Sequence, residues 1–160
     1  MIIVSDTTPL SELFKVGQVA LLQGVFGQVI IPKEVHDELT RGSHPAIVAL
    51  QAVDWIEVRS VSDSQKVSTL RTQTQLGLGE CGAIILAEEL GATRLLLDDQ
   101  EARREALSRN LPVIGTVGVL LIAKQRGLIP SVQQILDDLI AQGTYISQKL
   151  YQYVLTQAQE

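Results

Sequence analysis

Acidic side chains that directly follow short apolar runs are the residues of this chain best suited to chemistry. Asp6 comes two residues after the run Ile2–Val4, and Asp98 and Asp99 directly follow Leu95–Leu97. If both runs are central strands of a parallel sheet, these carboxylates share one crevice at its carboxyl edge. Clustered carboxylates repel one another unless cations neutralise them, and all-oxygen sites suit Mg²⁺ or Mn²⁺. The pattern therefore predicts a divalent-cation site at that edge.

Further acids lie on helical stretches that we expect to begin near the same edge. Glu80 is in the first turn of one strongly apolar stretch, and Glu34, Asp37 and Glu38 lie on the stretch after Pro32. Carboxylates from these helices could complete the ligand set of a cation that the strand-end aspartates begin to enclose.

Each acid also has a structural explanation that requires no chemistry. Asp6 could begin a turn or cap a helix, and Glu80 could complement the dipole of its helix. The pair Asp98-Asp99 could form a loop and an N-cap, and the acids between 34 and 38 could be solvated surface residues. We favour a site because the strongest candidates follow strands rather than being scattered over surfaces.

Short strands and helices alternate along the chain, and they must position these acids. Buried strands are predicted by the apolar runs Ile2–Val4, Gln28–Ile31, Arg94–Leu97 and Pro112–Ile114, and Trp55–Val61 alternates like a strand. Helices are predicted from Thr8-Pro9 onward and over Val19–Phe26, Lys33–Thr40, Ala46–Val53, Leu78–Leu90, Gln100–Asn110, Thr116–Arg126, Ser131–Ala141 and Ser147–Gln157. Ser62–Gln75 has weaker helical character, and Thr8 is the expected N-cap of the first helix, with Pro9 at its first position. This alternation predicts a three-layer α/β/α fold, a central parallel sheet with helices on both faces, followed by C-terminal helices.

The composition is that of a globular domain whose chemistry does not depend on bulk positive charge. The 160 residues carry a net charge of −5, and 46% of them are hydrophobic, so nucleic acid could be bound only through local basic patches or metal ions. The lone Cys81 excludes an internal disulfide framework, and His36 and His44 are poorly spaced for zinc. The start does not resemble a signal peptide, and the longest apolar run, Gly118–Ala123, is too short to span a membrane. We therefore expect a cytoplasmic protein.

A glycine pattern between residues 77 and 82 imitates a dinucleotide-binding fingerprint. The run Gly77-Leu-Gly79-Glu-Cys-Gly82 fits G-x-G-x-x-G, with acidic residues about 20 positions further on, as that fingerprint requires. The preceding Thr72–Gln75 is polar and cannot be the required buried strand, and Glu80 would repel a pyrophosphate. We therefore reject nucleotide binding by this segment.

A phosphotransferase of the haloacid-dehalogenase type is a second alternative, with Asp6 as the nucleophile. Such enzymes usually carry another Asp two residues later, where this chain has Thr8. They also place an essential Lys before the acidic pair, whereas the nearest suitable one, Lys124, follows it. These departures weaken the alternative without removing it.

Five segments, in order over residues 1–128, together carry a family resemblance. They are Ile2-Ile-Val-Ser-Asp6-Thr-Thr-Pro-Leu10, Ile30-Ile-Pro-Lys-Glu-Val35-His-Asp-Glu38-Leu, Leu78-Gly-Glu80-Cys-Gly-Ala-Ile-Ile-Leu-Ala87, Arg94-Leu-Leu-Leu-Asp98-Asp99-Gln-Glu-Ala-Arg103 and Val113-Ile-Gly-Thr116-Val-Gly. The set resembles PIN-domain nucleases, most closely the VapC-like toxin ribonucleases with an Asp-Thr-Thr/Ser-Pro-Leu opening. The resemblance implies hydrolysis of RNA phosphodiester bonds by a water activated with Mg²⁺ or Mn²⁺.

The resemblance also implies roles for individual residues. It assigns the catalytic and metal site to Asp6, Glu38, Glu80 and the pair Asp98-Asp99, within which the spacing to Arg103 favours Asp99. It further implies substrate-binding roles, which fall on Thr8, Arg103 and Thr116, with Arg104 as a second basic candidate.

Residues 129–160 extend beyond the matching segments and bear on domain organisation and partners. We expect residues 1–128 to form the PIN-like catalytic domain and residues 129–160 to pack on it as a helical extension. The extension carries apolar stripes that could complete the core or form a dimer face, at Leu136, Leu139 and Ile140 and at Ile146, Leu150 and Val154. The resemblance implies RNA as substrate, a possible antitoxin and a homodimer. The competing hypothesis is a non-catalytic PIN-like module that binds RNA or protein.

Overall fold

The computed structural model describes residues 1–41 and 45–160, and in these ranges five strands form one parallel sheet. The strands are β1 (Ile3–Ser5), β2 (Val29–Pro32), β3 (Ile56–Arg59), β4 (Arg94–Leu96) and β5 (Val113–Ile114), and their order across the sheet is β3-β2-β1-β4-β5. The strand β1 is central, with β2 and β4 as its parallel neighbours. The carboxyl ends of β1 and β4 therefore lie side by side, as the sequence predicted. His44, considered above as a ligand, lies outside the described residues.

Helices cover both faces of this sheet. They are α1 (Thr7–Lys15), α2 (Ala20–Phe26), α3 (Lys33–Arg41), α4 (Ala46–Gln51), α5 (Ser64–Thr74), α6 (Leu78–Leu90), α7 (Gln100–Ser108), α8 (Thr116–Gln125), α9 (Val132–Ala141) and α10 (Gln148–Gln157). The three-layer α/β/α class predicted from the sequence is confirmed. None of the helices in the described ranges is long and apolar enough to cross a membrane.

Successive strand residues point into two separate cores, which explains why each strand is apolar on both faces. In β1, Ile3 packs in a core with α1, α2, α8 and α9, whereas Val4 packs in a second core with α5, α6 and α7. The same alternation places Leu96 in the first core and Leu95 and Leu97 in the second. The period of two along a strand thus fixes the register that carries Asp6 and Asp98 to one edge.

The first helix begins two residues earlier than its sequence pattern suggested. Asp6, not Thr8, is at the N-cap, so Pro9 is the third helical residue rather than the first. Proline is tolerated there because the first amides of a helix have no intrahelical acceptor. The correction moves Asp6 to the junction between β1 and α1, where its backbone N–H also donates to the Leu96 carbonyl at 3.0 Å.

The C-terminal helices complete the first core. Leu136, Leu139 and Val154 are buried there, whereas Ile140 and Leu150 remain 43% and 41% exposed. The apolar stripes are thus divided between core and surface. The separation of residues 129–160 from residues 1–128 as an extension stays a prediction.

Candidate active site

Asp6 is the buried centre of an acidic cluster at the carboxyl edge of the sheet. Its residue is only 3% exposed, and its Oδ1 has no hydrogen-bond partner among the described residues. The pKa of Asp6 is raised to about 7, mainly by burial; the Thr7 backbone N–H lowers it, and the nearby Glu80, Glu38 and Asp98 contribute to the rise. A buried, unpaired carboxylate surrounded by other carboxylates is an arrangement that a cation would relieve.

Glu38 joins the cluster from α3 because two other elements hold its carboxylate. Its Oε2 accepts a hydrogen bond from the Thr7 hydroxyl at 2.8 Å, and its Oε1 accepts one from the Gly79 N–H at 2.7 Å. The second bond lies at the N-terminus of α6, where free amides and the helix dipole favour an anion. A Cβ at position 79 would lie only 2.6 Å from Oε2 of Glu38, so this approach depends on glycine.

Glu80 combines a capping role with a place in the cluster. Its Oε1 accepts a hydrogen bond from the Gly77 N–H at 2.9 Å, which closes the first turn of α6 from the N3 position. Burial raises the pKa of Glu80, the Gly77 amide lowers it, and Asp99 and Glu38 raise it. The structural explanation considered for this residue is therefore present, together with the electrostatic coupling expected of a site.

Asp98 is held by the start of α8. Its Oδ1 accepts the Thr116 N–H at 2.7 Å, and its Oδ2 accepts the Thr116 hydroxyl at 2.6 Å. Gly115, which directly precedes Thr116, permits the close approach of Asp98 to the start of α8. A Cβ at this position would lie 2.8 Å from both Asp98 Oδ1 and Arg103 Nη1. Both the N–H and the hydroxyl of Thr116 are thus bonded to Asp98, and its substrate-binding role stays a prediction.

The two neighbouring aspartates have different surroundings. Asp99 is the N-cap of α7, where its Oδ2 accepts the Ala102 N–H at 3.0 Å. Asp98 raises the pKa of Asp6, and Asp99 raises the pKa of Glu80. The charge of Asp98 thus acts mainly on Asp6, and the charge of Asp99 acts mainly on Glu80.

The basic candidates Arg103 and Arg104 both lie on α7. The half-buried Arg103 donates from Nη1 to the Leu97 carbonyl at 2.9 Å, which fixes the end of the strand that precedes Asp98. Arg104 is exposed on α7. Of the remaining acids on α3, Asp37 forms an ion pair with Lys33 at 3.0 Å.

Glu34 packs beside α6, away from the Thr7 hydroxyl that holds Glu38. A Cβ at Gly82 would lie 2.8 Å from its Oε2, and burial raises the pKa of this carboxyl. Glu38 and Glu34 are one helical turn apart on α3, and both face glycines of α6. Glu38 is among the main groups that raise the pKa of Asp6.

A cleft of about 380 Å³ opens beside the acidic cluster, and we name it the Tyr145 cleft. Its lining includes Thr8, Asp98 and Thr116, and also Tyr145, Ile146 and Leu150 from the C-terminal part of the chain. Thr8 is exposed on α1 and faces this cleft, whereas the adjacent Thr7 reaches the acidic cluster. The site thus consists of a buried acidic centre with an open cleft next to it.

The donor chemistry of the cluster fits a hard divalent cation. In the ranges that the structure describes, no three His, Cys, Asp or Glu side chains are grouped to hold a metal ion. However, Mg²⁺ usually keeps several waters and binds through one or two carboxylates together with substrate phosphates. The unpaired Oδ1 of Asp6 is such a carboxylate donor. The residues therefore fit a partly hydrated ion rather than a closed protein cage.

Three residues that shape the cluster were not identified from the sequence. Thr7 holds Glu38, Gly79 admits it to the helix terminus, and Gly115 admits Asp98 to α8. Each is next to a predicted site residue, and both glycines fall within the segments quoted above. Adjacency is a usable signal, but the close approach that requires glycine becomes visible only when the helices are packed.

Comparison with family models identifies a match to this chain. A family model described as a PIN domain matches residues 2–160, almost the whole chain. No curated protein and no solved structure matches it. PIN domains are generally nucleases that use divalent metals, which agrees with the acidic cluster and indicates a nuclease-type function that involves nucleic-acid binding. The chain belongs to the PIN-domain family.

Proposed function

We propose that this protein is a Mg²⁺- or Mn²⁺-dependent ribonuclease that hydrolyses phosphodiester bonds within RNA. The observation that carries the proposal is the buried Oδ1 of Asp6, which has no partner among the described residues, on a carboxyl whose pKa the nearby Glu80, Glu38 and Asp98 raise. Since a buried anion is costly unless it is paired, this arrangement is best explained by a cation bound during function.

The residues of the cluster would divide the work of binding and positioning. Asp6 would hold the ion, with Asp98 and Glu80 as neighbouring carboxylates, and Thr7 and Gly79 would keep Glu38 directed at the same centre. When bound, the ion supplies an activated water and stabilises the charge that develops on the phosphate. Thr116 and Arg103 would fix the loop that carries Asp98, while Asp99 would cap α7.

The finer biological role proposed here is that of a VapC-like toxin, held inactive by an antitoxin and acting in the cytoplasm as a homodimer. The resemblance of the Asp6–Leu10 opening supports the toxin role, and the exposed Ile140, Leu150 and Tyr153 offer an apolar surface for pairing. A small open reading frame that overlaps the gene upstream would favour an antitoxin. A light-scattering mass near 17.4 kDa, the mass of one chain, would count against the homodimer.

The nuclease proposal is tested by incubating the purified protein with single-stranded RNA, double-stranded RNA and single-stranded DNA in Mn²⁺ or Mg²⁺. We expect RNA cleavage that EDTA abolishes and that Asp6→Asn loses. Asp63→Asn is the matched control, because Asp63 is an exposed aspartate that caps α5 far along the chain from the cluster. Cleavage that survives in Asp6→Asn would show that a contaminant or another site is responsible.

A non-catalytic PIN-like module that binds RNA or protein is the second candidate. The observation that favours it is that Glu38, Glu80 and Asp98 already accept hydrogen bonds from protein donors, without a three-ligand group among the described residues. RNA binding without cleavage in either metal, by wild type and Asp6→Asn alike, would support this candidate. The phosphohydrolase alternative predicts instead the release of phosphate from small phosphomonoesters.

A further inference from the structure

The Tyr145 cleft adjoins the acidic cluster through shared residues. Asp98 and Thr116 line the cleft and are also bonded to each other at the cluster, and Thr8 on the same rim follows Asp6 by two residues. A molecule whose phosphate lies at Asp6 would therefore extend an adjoining group into this cleft. Its volume of about 380 Å³ lies in the range of small-molecule sites.

The lining of the cleft selects against a phosphate and for an uncharged planar group. Val117, Leu139 and Ile146 supply apolar walls, and the charged side chains among the described lining residues, Glu12 and Asp98, are both acidic. These acids would repel a phosphodiester that has no cation to neutralise it. A nucleobase has the opposite properties, since its faces are apolar and its edge bears hydrogen-bonding groups.

Tyr145 provides an aromatic surface at the rim of this cleft. Its residue is 88% exposed, the largest exposure among the large hydrophobic residues of the described ranges. The preceding Thr144 is fixed, because its hydroxyl bonds to Glu12 and its N–H donates to the Leu139 carbonyl at 3.0 Å. The ring therefore projects from an anchored position, which limits the conformational entropy that it would lose on stacking against a ligand.

We propose that the Tyr145 cleft binds one nucleobase of the RNA strand, next to the phosphate that is cleaved, and that Tyr145 stacks on it. Aromatic stacking is the usual way in which proteins hold unpaired bases, and it tolerates sequence variation. This inference rests on the proposed ribonuclease function and makes Tyr145, from the C-terminal part of the chain, a substrate-binding residue. Gln100, which lines the same cleft, has an amide suited to the base edge.

The test uses uncharged nucleosides, because their binding requires neither a metal ion nor cleavage. Adenosine and uridine are titrated into the metal-free wild-type protein while the methyl signals of Val117, Leu139, Ile146 and Leu150 are followed by nuclear magnetic resonance. We expect these signals to shift in a saturable manner. Tyr145→Ala should weaken nucleoside binding about tenfold, and Tyr145→Phe should retain it because the ring remains.

Tyr153→Ala is the matched control, since Tyr153 is an exposed tyrosine of α10 that does not belong to the lining of the cleft. It should bind nucleosides as wild type does, and in the RNA cleavage assay only Tyr145→Ala should raise KM. Absent cleft shifts, or equal binding by Tyr145→Ala and Tyr153→Ala, would overturn the base site. Shifts of the same methyl signals by an apolar peptide but by neither nucleoside would likewise overturn it.

The two proposals fail in different ways. If nucleosides bind in the cleft but no RNA is cut with either metal, the base site stands and the nuclease proposal falls. If RNA is cut by Tyr145→Ala with the KM of wild type, the nuclease stands and the base site falls.

Discussion

The Oε1 of Glu38 accepts a hydrogen bond from the Gly79 N–H at 2.7 Å, and the two residues are 41 positions apart in the chain. This contact joins α3 to the N-terminus of α6, and it directs a carboxylate of α3 toward Asp6. A Cβ at position 79 would lie 2.6 Å from Oε2 of Glu38, which is closer than real side chains approach. A single missing methyl group thus admits Glu38 to the acidic cluster.

We predict that Gly79→Ala displaces Glu38 and lowers RNA cleavage about 10- to 100-fold, since small displacements of catalytic groups have effects of this size. The measurement is kcat/KM on single-stranded RNA. Gly24→Ala is the control, because its Cβ would meet only the flexible end of Leu128 at 3.3 Å. In a Glu38→Ala background, Gly79→Ala should cause no further loss, and an additive loss would contradict this reading of the contact.

The roles of Asp98 and Asp99 can be distinguished by substitutions that keep the hydrogen bonds of each side chain to the backbone. Asp98→Asn keeps an acceptor for Thr116 but removes the charge beside Asp6, and we expect cleavage to fall at least about 100-fold. Asp99→Ser keeps an N-cap oxygen for Ala102, so activity and stability should change little. Comparable losses in both variants would instead assign Asp99 the role that its spacing to Arg103 suggested.

Asp6→Asn should stabilise the metal-free protein above neutral pH. Burial raises the pKa of Asp6 from 3.8 to about 7, so the folded state holds a proton that the unfolded state has released between these values. The free energy of unfolding of wild type therefore falls as pH rises through this window, and above it the ionised Asp6 opposes folding. We expect Asp6→Asn to be more stable than wild type by about 2–4 kcal/mol at pH about 8, with a smaller difference at pH about 5.

Urea unfolding in EDTA measures this difference, with Asp63→Asn as the exposed control. The control should unfold as wild type does at both pH values. Equal or lower stability of Asp6→Asn at the higher pH would mean that the buried carboxylate is already compensated inside the protein.

Glu160 should contribute to the free energy of unfolding at neutral pH, and this contribution should be lost at acidic pH. Burial opposes its ionisation, but the Val132 N–H, Lys124 and the Gln133 N–H more than offset this and lower the pKa of Glu160 to about 2. Its contribution is therefore present above the unfolded value of 4.5 and is lost as pH falls toward about 2. We expect Glu160→Gln to lose about 1–2 kcal/mol at neutral pH, a figure reduced for solvent screening.

Thermal unfolding at neutral and acidic pH checks this prediction. Asp138→Asn, on the exposed side of α9, is the control and should follow wild type. A Glu160→Gln variant that melts as wild type does at neutral pH would show that the cap on α9 contributes nothing measurable.

The strands and the layer order were predictable because short runs that are apolar on both faces are typical of strands in a parallel sheet covered by helices. Ile3 and Val4 pack in different cores, and the run of consecutive apolar residues in β1 predicts this because successive side chains of a strand point to opposite faces. The strand predicted over Trp55–Val61 is shorter, since only Ile56–Arg59 pairs with β2 at the edge of the sheet. Its flanking residues have no second partner strand that would extend the ladder within the described ranges.

The types of residue that form the site were predictable from the sequence. Which of two adjacent residues contributes to the site was harder to predict. Which of Asp98 and Asp99 faces the cluster depends on where β4 ends and α7 begins. Sequence patterns locate such boundaries only to within one or two residues. Likewise, Thr7 rather than Thr8 reaches Glu38, because α1 begins two residues earlier than predicted. Helical phase does not separate Glu38 from Asp37, since both are within one turn of Glu34. The contacts of Glu38 with Thr7 and Gly79 do separate them.

Calorimetric titration of Mn²⁺ into metal-free protein tests most directly whether the acidic cluster is a metal centre. Wild type and Asp63→Asn should give the same saturable binding, and Asp6→Asn should abolish it, because Asp6 Oδ1 is a buried oxygen of the cluster that has no hydrogen-bond partner in the described residues. Binding of equal strength in all three proteins, or in none of them, would contradict the assignment of a divalent cation to Asp6.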